Sequence, residues 1–286
     1  TRHYRILKKI NKNYEINLFT KRSIKNYSTL NSHLKILKFN PDYFIIASKT
    51  IDHFKNLKFI EKNFKNKKVL IEKPLFHKKI NLNVKNKIFV GYDLRFHPVI
   101  DNIKKIILNK KIFSCEIICN SFLPSWRKNI NYRKSYSSIK NQGGGVLLDL
   151  SHELDYANYF FGELIIKHAI NKKISNLKIS SDDYLNIYCE NKFGTKISIS
   201  INYFSKIPTR MILINGLNVS IKADLINNSL TFKSKTTKSY KYKINRNHTF
   251  IKQHRAIIDK KINNKISNYN NGLRIMSLID NIKKIK

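Results

Sequence analysis

Three short apolar runs, Tyr43 to Ala47, Val69 to Ile71 and Ile88 to Gly91, are spaced along the first third of the chain. That spacing constrains the fold more than any other feature. A run that is apolar throughout, rather than at every second residue, suits a strand buried on both faces, as in a parallel sheet. Between the first two runs, Ile51 to Phe64 carries Phe54, Leu57, Ile60 and Phe64 on one helical stripe, with Glu61 as a blemish at its edge. Upstream, Arg2 to Ile10 and Leu30 to Leu37 read as helices and Glu15 to Phe19 as a short strand. Strands alternating with helices predict an α/β unit with a doubly wound parallel sheet over residues 1–95.

From Phe96 the rhythm changes. A helix (Pro98 to Leu108) and a strand (Phe113 to Cys119) precede a polar loop from Asn120 to Gln142, and a helix is expected from Val146 to Phe161. Strand-like runs follow at Tyr184 to Cys189, Lys196 to Tyr203, Met211 to Ile214, Val219 to Lys222, Leu230 to Phe232 and Tyr240 to Ile244. Turn pairs such as Asn215-Gly216 join several of them as hairpins. Helices over Thr249 to Ile262 and Leu273 to Ile285 complete an α+β domain, residues 96–286, with an open, mostly antiparallel sheet.

The charge demands an explanation: 56 Lys+Arg stand against 18 Asp+Glu, a formal +38. A nucleic acid or an acidic membrane would suit such a surplus. The lysines are spread over the whole chain among Asn and Ile, however, which reads as a compositional bias filling solvated faces, so nucleic acid is not the expected partner. A positive field still favours anionic small ligands. No apolar run reaches the roughly 18–20 residues of a membrane span, and the start has no signal-peptide pattern, so a cytoplasmic location is expected. Cys115, Cys119 and Cys189 form no CxxC pair and read as reduced thiols, not metal ligands. The chain begins with Thr, which reads as a fragment or a processed product.

Two clusters carry chemistry. Glu72-Lys73-Pro74 directly follows an apolar strand, and in an open α/β sheet ligands bind beyond the carboxyl ends of the strands. Proline constrains the turn that aims Lys73, although a solvated strand-end lysine would look the same. Gly143-Gly144-Gly145 then leads into Asp149, His152 and Asp155, spaced by three on the expected helix. A histidine beside carboxylates suits general acid/base work, while glycines let backbone approach a ligand. The same residues also fit the polar stripe of an ordinary amphipathic helix.

In order and spacing these segments resemble the Gfo/Idh/MocA family (glucose–fructose oxidoreductase, inositol dehydrogenase, MocA). The match runs through Tyr43 to Ala47 with Thr50 and His53, Val69 to Leu75, the junction Gly91-Tyr92-Asp93-Leu94-Arg95-Phe96-His97-Pro98, and Gly143 to Gly162. The resemblance implies a Rossmann domain binding NADP or NAD and a second domain holding a sugar or nucleotide-sugar, with hydride passed between them. It implies Lys73, Asp149 and His152 as catalytic, and Thr20, Lys21, Arg22, Ser48, Thr50, His53, Glu72 and Lys73 against the cofactor. Basic residues at 21 and 22, where an acidic residue would hold a ribose hydroxyl, lean toward NADP.

The loop residues Trp126, Arg127, Tyr132, Arg133 and Tyr136, with Arg95, are expected to hold substrate, since such groups stack on a sugar and pair with a carboxylate or phosphate. The loop is similar to that of members serving surface-polysaccharide and nonulosonic-acid pathways. No metal is expected, and homo-oligomers through the second-domain sheet are implied. Two departures stand out. His152 follows Asp149 by three residues where four is common in the family, and the first strand with its GxGxxG loop is missing, which reads as an N-terminally truncated member, with a non-catalytic fragment or degenerate member retaining the fold as the alternative.

Overall fold

A computed structural model describes residues 2–22, 24–127, 129–259 and 265–285 of the chain. Helix α1 (Arg2–Ile10) buries Ile6 and Leu7. Strands β1 (Leu18–Phe19) and β2 (Thr29–Leu30) pair in parallel as a small sheet of their own, so β1 keeps only the end of the expected strand. Helix α2 (His33–Phe39) begins later than the stripe suggested because Leu30 is taken into β2 and the Ser32 hydroxyl caps the helix, accepting from the Lys35 amide at 3.3 Å.

Strand β3 (Tyr43–Ile46), helix α3 (His53–Asn63), β4 (Lys68–Ile71) and β5 (Lys87–Val90) follow. The three strands form a parallel sheet in the order β3-β4-β5, with Ile46 opposite Ile71 and Ile71 opposite Val90. Glu61, the blemish on the α3 stripe, is 6% exposed and tied: its carboxylate accepts from the Lys85 amide at 2.6 Å and the Asn86 side chain at 3.0 Å.

A 3₁₀ turn, Asp93–Phe96, leads to α4 (Pro98–Ile106), whose first turn carries Pro98 and is capped by the His97 ring on the Val99 amide at 3.2 Å. Strand β6 (Ile112–Phe122) runs into a loop of short 3₁₀ turns. The expected helix over 146–161 is two helices, α5 (Val146–Asp149) and α6 (His152–Phe161), broken where Leu150 leaves helical geometry at φ −102°, ψ 31°. Asp149 therefore ends one helix and His152 starts the next.

Strands β7 (Ile165–Lys172), β8 (Tyr184–Glu190), β9 (Lys196–Asn202), β10 (Phe204–Gly216), β11 (Val219–Asp224), β12 (Ser229–Lys233) and β13 (Thr237–Lys241) join β6 in one sheet. Its order is β13-β12-β11-β10-β6-β9-β8-β7, antiparallel throughout except for the parallel pair β6–β9. One face is core: Ile197, Ile199 and Ile201 on β9 and Ile212 and Ile214 on β10 are fully buried, and their neighbours alternate outward. β7 was not expected, because as an edge strand it buries only Ala169 fully and shows no apolar alternation.

Helix α7 (His248–Ile258) covers part of the stretch expected to be helical over 249–262, whose last residues, 260–262, lie outside the described residues. It packs on α1 and on the Asp93–Phe96 turn. Helix α8 (Tyr269–Lys284) starts before Leu273 because Asn268 and Asn271 cap each other's amides reciprocally, and it lies against both β5 and β7. Among the described residues no helix is long and apolar enough to cross a membrane.

Candidate active site

Parallel pairing sends the carboxyl ends of β3, β4 and β5 to one edge. Ser48, Glu72-Lys73 and Gly91-Asp93 follow those strands directly. The Lys73–Pro74 peptide is cis. From the edge, the Lys73 ammonium donates to the Asp149 carbonyl at the end of α5, joining the parallel sheet to the second domain.

Asp149 is 4% exposed and its carboxylate accepts from the Tyr203 hydroxyl at 2.8 Å. Tyr203 lies between β9 and β10, where the chain arches over the end of β6. Its own backbone is held on both sides, the amide by the Asp183 carbonyl at 3.0 Å and the carbonyl by the Leu123 amide at 2.8 Å. Burial, then the Asp149 charge, raises the Tyr203 phenol well above its ordinary pKa, so it stays a donor. Trp126 meets the Tyr203 ring edge-on at 5.1 Å, and Arg127 sits over the Tyr136 ring at 5.6 Å. Burial and the same Asp149 charge also raise Tyr136.

His152 is buried enough to resist protonation. Desolvation, then the positive charges of Lys73 and Arg210, carries it well below the usual histidine range. Its Nε2 lies 3.8 Å from an Asp93 carboxylate oxygen, its ring meets Tyr92 edge-on at 5.7 Å, and its Nδ1 is buried without a hydrogen-bond partner. The other Asp93 oxygen accepts from the Thr249 hydroxyl of α7.

Glu72 anchors a chain of bonds behind Lys73. Burial alone would raise its pKa, but the bond and charge of His3, with Lys73, bring it below the ordinary value. An ionised Glu72 can only accept, so His3 Nε2 donates to it at 2.9 Å. His3 Nδ1 then meets His254 Nε2 at 2.9 Å, and His254 Nδ1 meets the Tyr43 hydroxyl at 3.0 Å. Three bonds thus link Tyr43 to Glu72 through the two imidazoles.

Other expected residues sit elsewhere. Arg95, read as a substrate contact, is 2% exposed and bonded through two nitrogens to Asp155 at 2.8 and 2.7 Å, so its charge is consumed inside the protein. His53, read as a cofactor contact, is 1% exposed, and its ring bridges the Pro74 carbonyl at 3.0 Å and the Ser48 carbonyl at 3.2 Å; it staples the β3 loop to the Glu72-Lys73-Pro74 turn. Thr50 is buried under Gly143. Ser48 is exposed and accepts from Asn56 at 2.9 Å. Lys21 and Arg22 are exposed beyond β1, where the Thr20 hydroxyl takes the Arg22 amide at 3.1 Å. Tyr132 takes the Lys178 amide on its hydroxyl, and Arg133 lines a separate groove of about 470 Å³ with Lys173 and Lys178.

The glycines were read as room for a ligand; the chain itself fills that room. A side chain at Gly144 would strike the carbonyl oxygens of Tyr136 and Ser137, and one at Gly145, at φ +120°, would strike the Asp182 carboxylate. Asp182 needs that approach, because its carboxylate caps α5 on the Leu147 amide at 2.9 Å. Tyr203 and Asp93 were not singled out. The signal for Tyr203 was available: a tyrosine ending the inward row Ile197, Ile199, Ile201 must find a partner for its hydroxyl. Among the described residues no group of His, Cys, Asp and Glu could hold a metal.

Comparison with known proteins gives the family and the fold. Residues 104–279 match the family model described as "Oxidoreductase family, C-terminal alpha/beta domain". No curated protein matches by sequence. Solved structures share the fold. An oxidoreductase from Thermotoga maritima superposes with a TM-score of 0.80 at 14% identity over 99% of this chain and 91% of that one. Levoglucosan dehydrogenase in complex with NADH and levoglucosan gives 0.75 at 16% identity, over 90% and 82%. UDP-N-acetylglucosamine 3-dehydrogenase from Acidithiobacillus ferrooxidans gives 0.69 at 15% identity, over 90% and 81%.

Proposed function

This chain belongs to the Gfo/Idh/MocA family of oxidoreductases, and on that premise we propose that it moves hydride between NADP or NAD and a hydroxyl or ketone of a sugar or nucleotide-sugar. The observation that carries the proposal is the meeting of Lys73, Asp149 and a neutral His152 at the carboxyl edge of the parallel strands. Fold relatives that are dehydrogenases of a sugar and of a nucleotide-sugar support the substrate class.

The residues present fit a dinucleotide. Ser48, Glu72 and Lys73 open on one edge, and the His3–Glu72 bond at 2.9 Å turns the amino end of α1 toward it, an end that favours phosphate. Exposed Lys21 and Arg22 beyond β1 suit a 2′-phosphate, hence the preference for NADP. A bound nicotinamide supplies the acceptor or donor of hydride. The protein supplies the rest. Neutral His152 is the acid/base for the proton of the reacting oxygen; the Lys73 ammonium, steadied on the Asp149 carbonyl, favours negative charge on that oxygen; Tyr203 holds the Asp149 carboxylate still. Trp126, Arg127 and Tyr136 form the sugar side, and Arg127 is the group for an anionic substituent, as a surface-polysaccharide precursor would carry. With this function go a cytoplasmic location, a cofactor unit over 1–95, a substrate unit over 96–286, and self-association through the outer face of the large sheet.

The test pairs cofactor binding with turnover on a panel of sugars and nucleotide-sugars. NADPH should bind more tightly than NADH, and His152→Ala should abolish turnover while keeping cofactor affinity. Turnover that survives this change removes His152 as the essential acid/base.

A further inference from the structure

Imidazole in its neutral form carries one proton on one of two nitrogens, and only the other can act as a base. In His152 the two nitrogens meet different surroundings. Nε2 faces the Asp93 carboxylate at 3.8 Å, while Nδ1 is buried and bonded to nothing in the chain. The separation is beyond hydrogen-bond length, yet a carboxylate oxygen so close repels a bare lone pair and attracts an N–H. Asp93 itself cannot swing away: it is 6% exposed, its second oxygen holds the Thr249 hydroxyl, and it sits in the 3₁₀ turn directly after β5.

The geometry points to Asp93 as a positioning residue that keeps the His152 proton on Nε2, the ring nitrogen that is not sealed in the core, and so presents that N–H to the substrate oxygen. The second half of that statement rests on the oxidoreductase function proposed above; the first half is a property of the folded protein alone. The charged groups around the pair act in known senses. Lys73 and Arg210 face His152 and disfavour its protonation. Glu72, Arg2 and Arg210 act on Asp93, and burial, eased by the Thr249 bond, places its pKa at about 6. Asp93 is thus mostly ionised at neutral pH and loses its hold as the pH falls through about 6. Below that pH a protonated Asp93 no longer distinguishes the two nitrogens by charge.

The experiment reads the tautomer directly. In ¹⁵N-histidine-labelled protein, with His152 assigned by loss of its signals in His152→Gln, the wild type should show the Nε2–H form near pH 7.5 and a mixture below about pH 6. Asp93→Asn should populate the Nδ1–H form near pH 7.5, where the wild type holds Nε2–H. Asp93→Glu should restore the Nε2–H form. Thr249→Val, a gentler change, should move the midpoint of the tautomer change upward, because the hydroxyl bond lowers the Asp93 pKa. A wild-type Nδ1–H form, or an Asp93→Asn protein with unchanged tautomer, overturns the assignment. The outcome is separable from that for the reaction. An Asp93-dependent tautomer without turnover of any sugar tested sinks the proposed function and leaves the Asp93 role standing. Turnover that dies with His152→Ala but is indifferent to Asp93→Asn does the reverse.

Discussion

The pair Arg95–Asp155 offers the sharpest test of where structure departs from expectation. Both side chains are 2% exposed, and two hydrogen bonds of 2.8 and 2.7 Å join them. Arg95 also lies over the Tyr159 ring at 4.9 Å, so guanidinium and ring share one desolvated slot between the 3₁₀ turn and α6. Replacing Asp155 with Asn keeps the volume but strands the Arg95 charge without a counter-ion. A buried pair broken on one side costs about 3–5 kcal/mol, far above the roughly 0–1 kcal/mol of a surface pair. Asp155→Asn and Arg95→Met should each lower stability by that order in denaturant titrations. The double change Arg95→Met with Asp155→Leu should recover most of the loss, because no unpaired charge remains. A purely substrate-binding Arg95 gives the opposite pattern: Arg95→Met would leave stability within about 0.5 kcal/mol and raise KM instead. That result would refute the structural assignment.

Two further outcomes follow from the site. Tyr203→Phe should cut kcat about tenfold to a hundredfold while leaving cofactor affinity alone, since a buried bond to a carboxylate is worth about 1.5–3 kcal/mol; an unchanged kcat would detach Tyr203 from Asp149. Acid stability should fall early. His254 is brought from an ordinary 6.5 to about 3 by burial and then by His3, so between those values the unfolded chain binds a proton the folded one refuses. Stability is then full above about pH 6.5 and is lost as pH falls toward 3, with a slope of up to about 1.4 kcal/mol per pH unit from this residue. His254→Gln should flatten the slope between pH 4 and 6, and an unaltered slope would exclude His254 as its source.

Much of the architecture was legible because burial writes itself into composition. Val69 to Ile71 in β4 and Ile88 to Val90 in β5 are unbroken apolar runs since both faces are covered, and β9 alternates since one face is not. β7 escaped notice for the converse reason: an edge strand needs little apolar surface. The break between α5 and α6 left no trace, because Leu148 to Leu154 carries a helical pattern whether or not Leu150 interrupts it. Within the site, Lys73, Asp149 and His152 were found through local motifs. Asp93, Tyr203 and Arg95 depend on Thr249, Asp149 and Asp155, partners 156, 54 and 60 residues away, and distance along the chain carries no local signal.

Helix α7 has a consequence for how the protein is made. His254 bonds His3 across 251 residues, Thr249 bonds Asp93 across 156, and the Lys68 ammonium donates to the Ile258 carbonyl across 190. While the ribosome is still working through the large sheet, the first parallel strands already exist, but the groups that satisfy Tyr43, His3 and Asp93 do not. The amino-terminal half must therefore wait, with polar groups open to water, until residues 248–258 have emerged. Docking of that one helix is the step at which translation order and native order are reconciled.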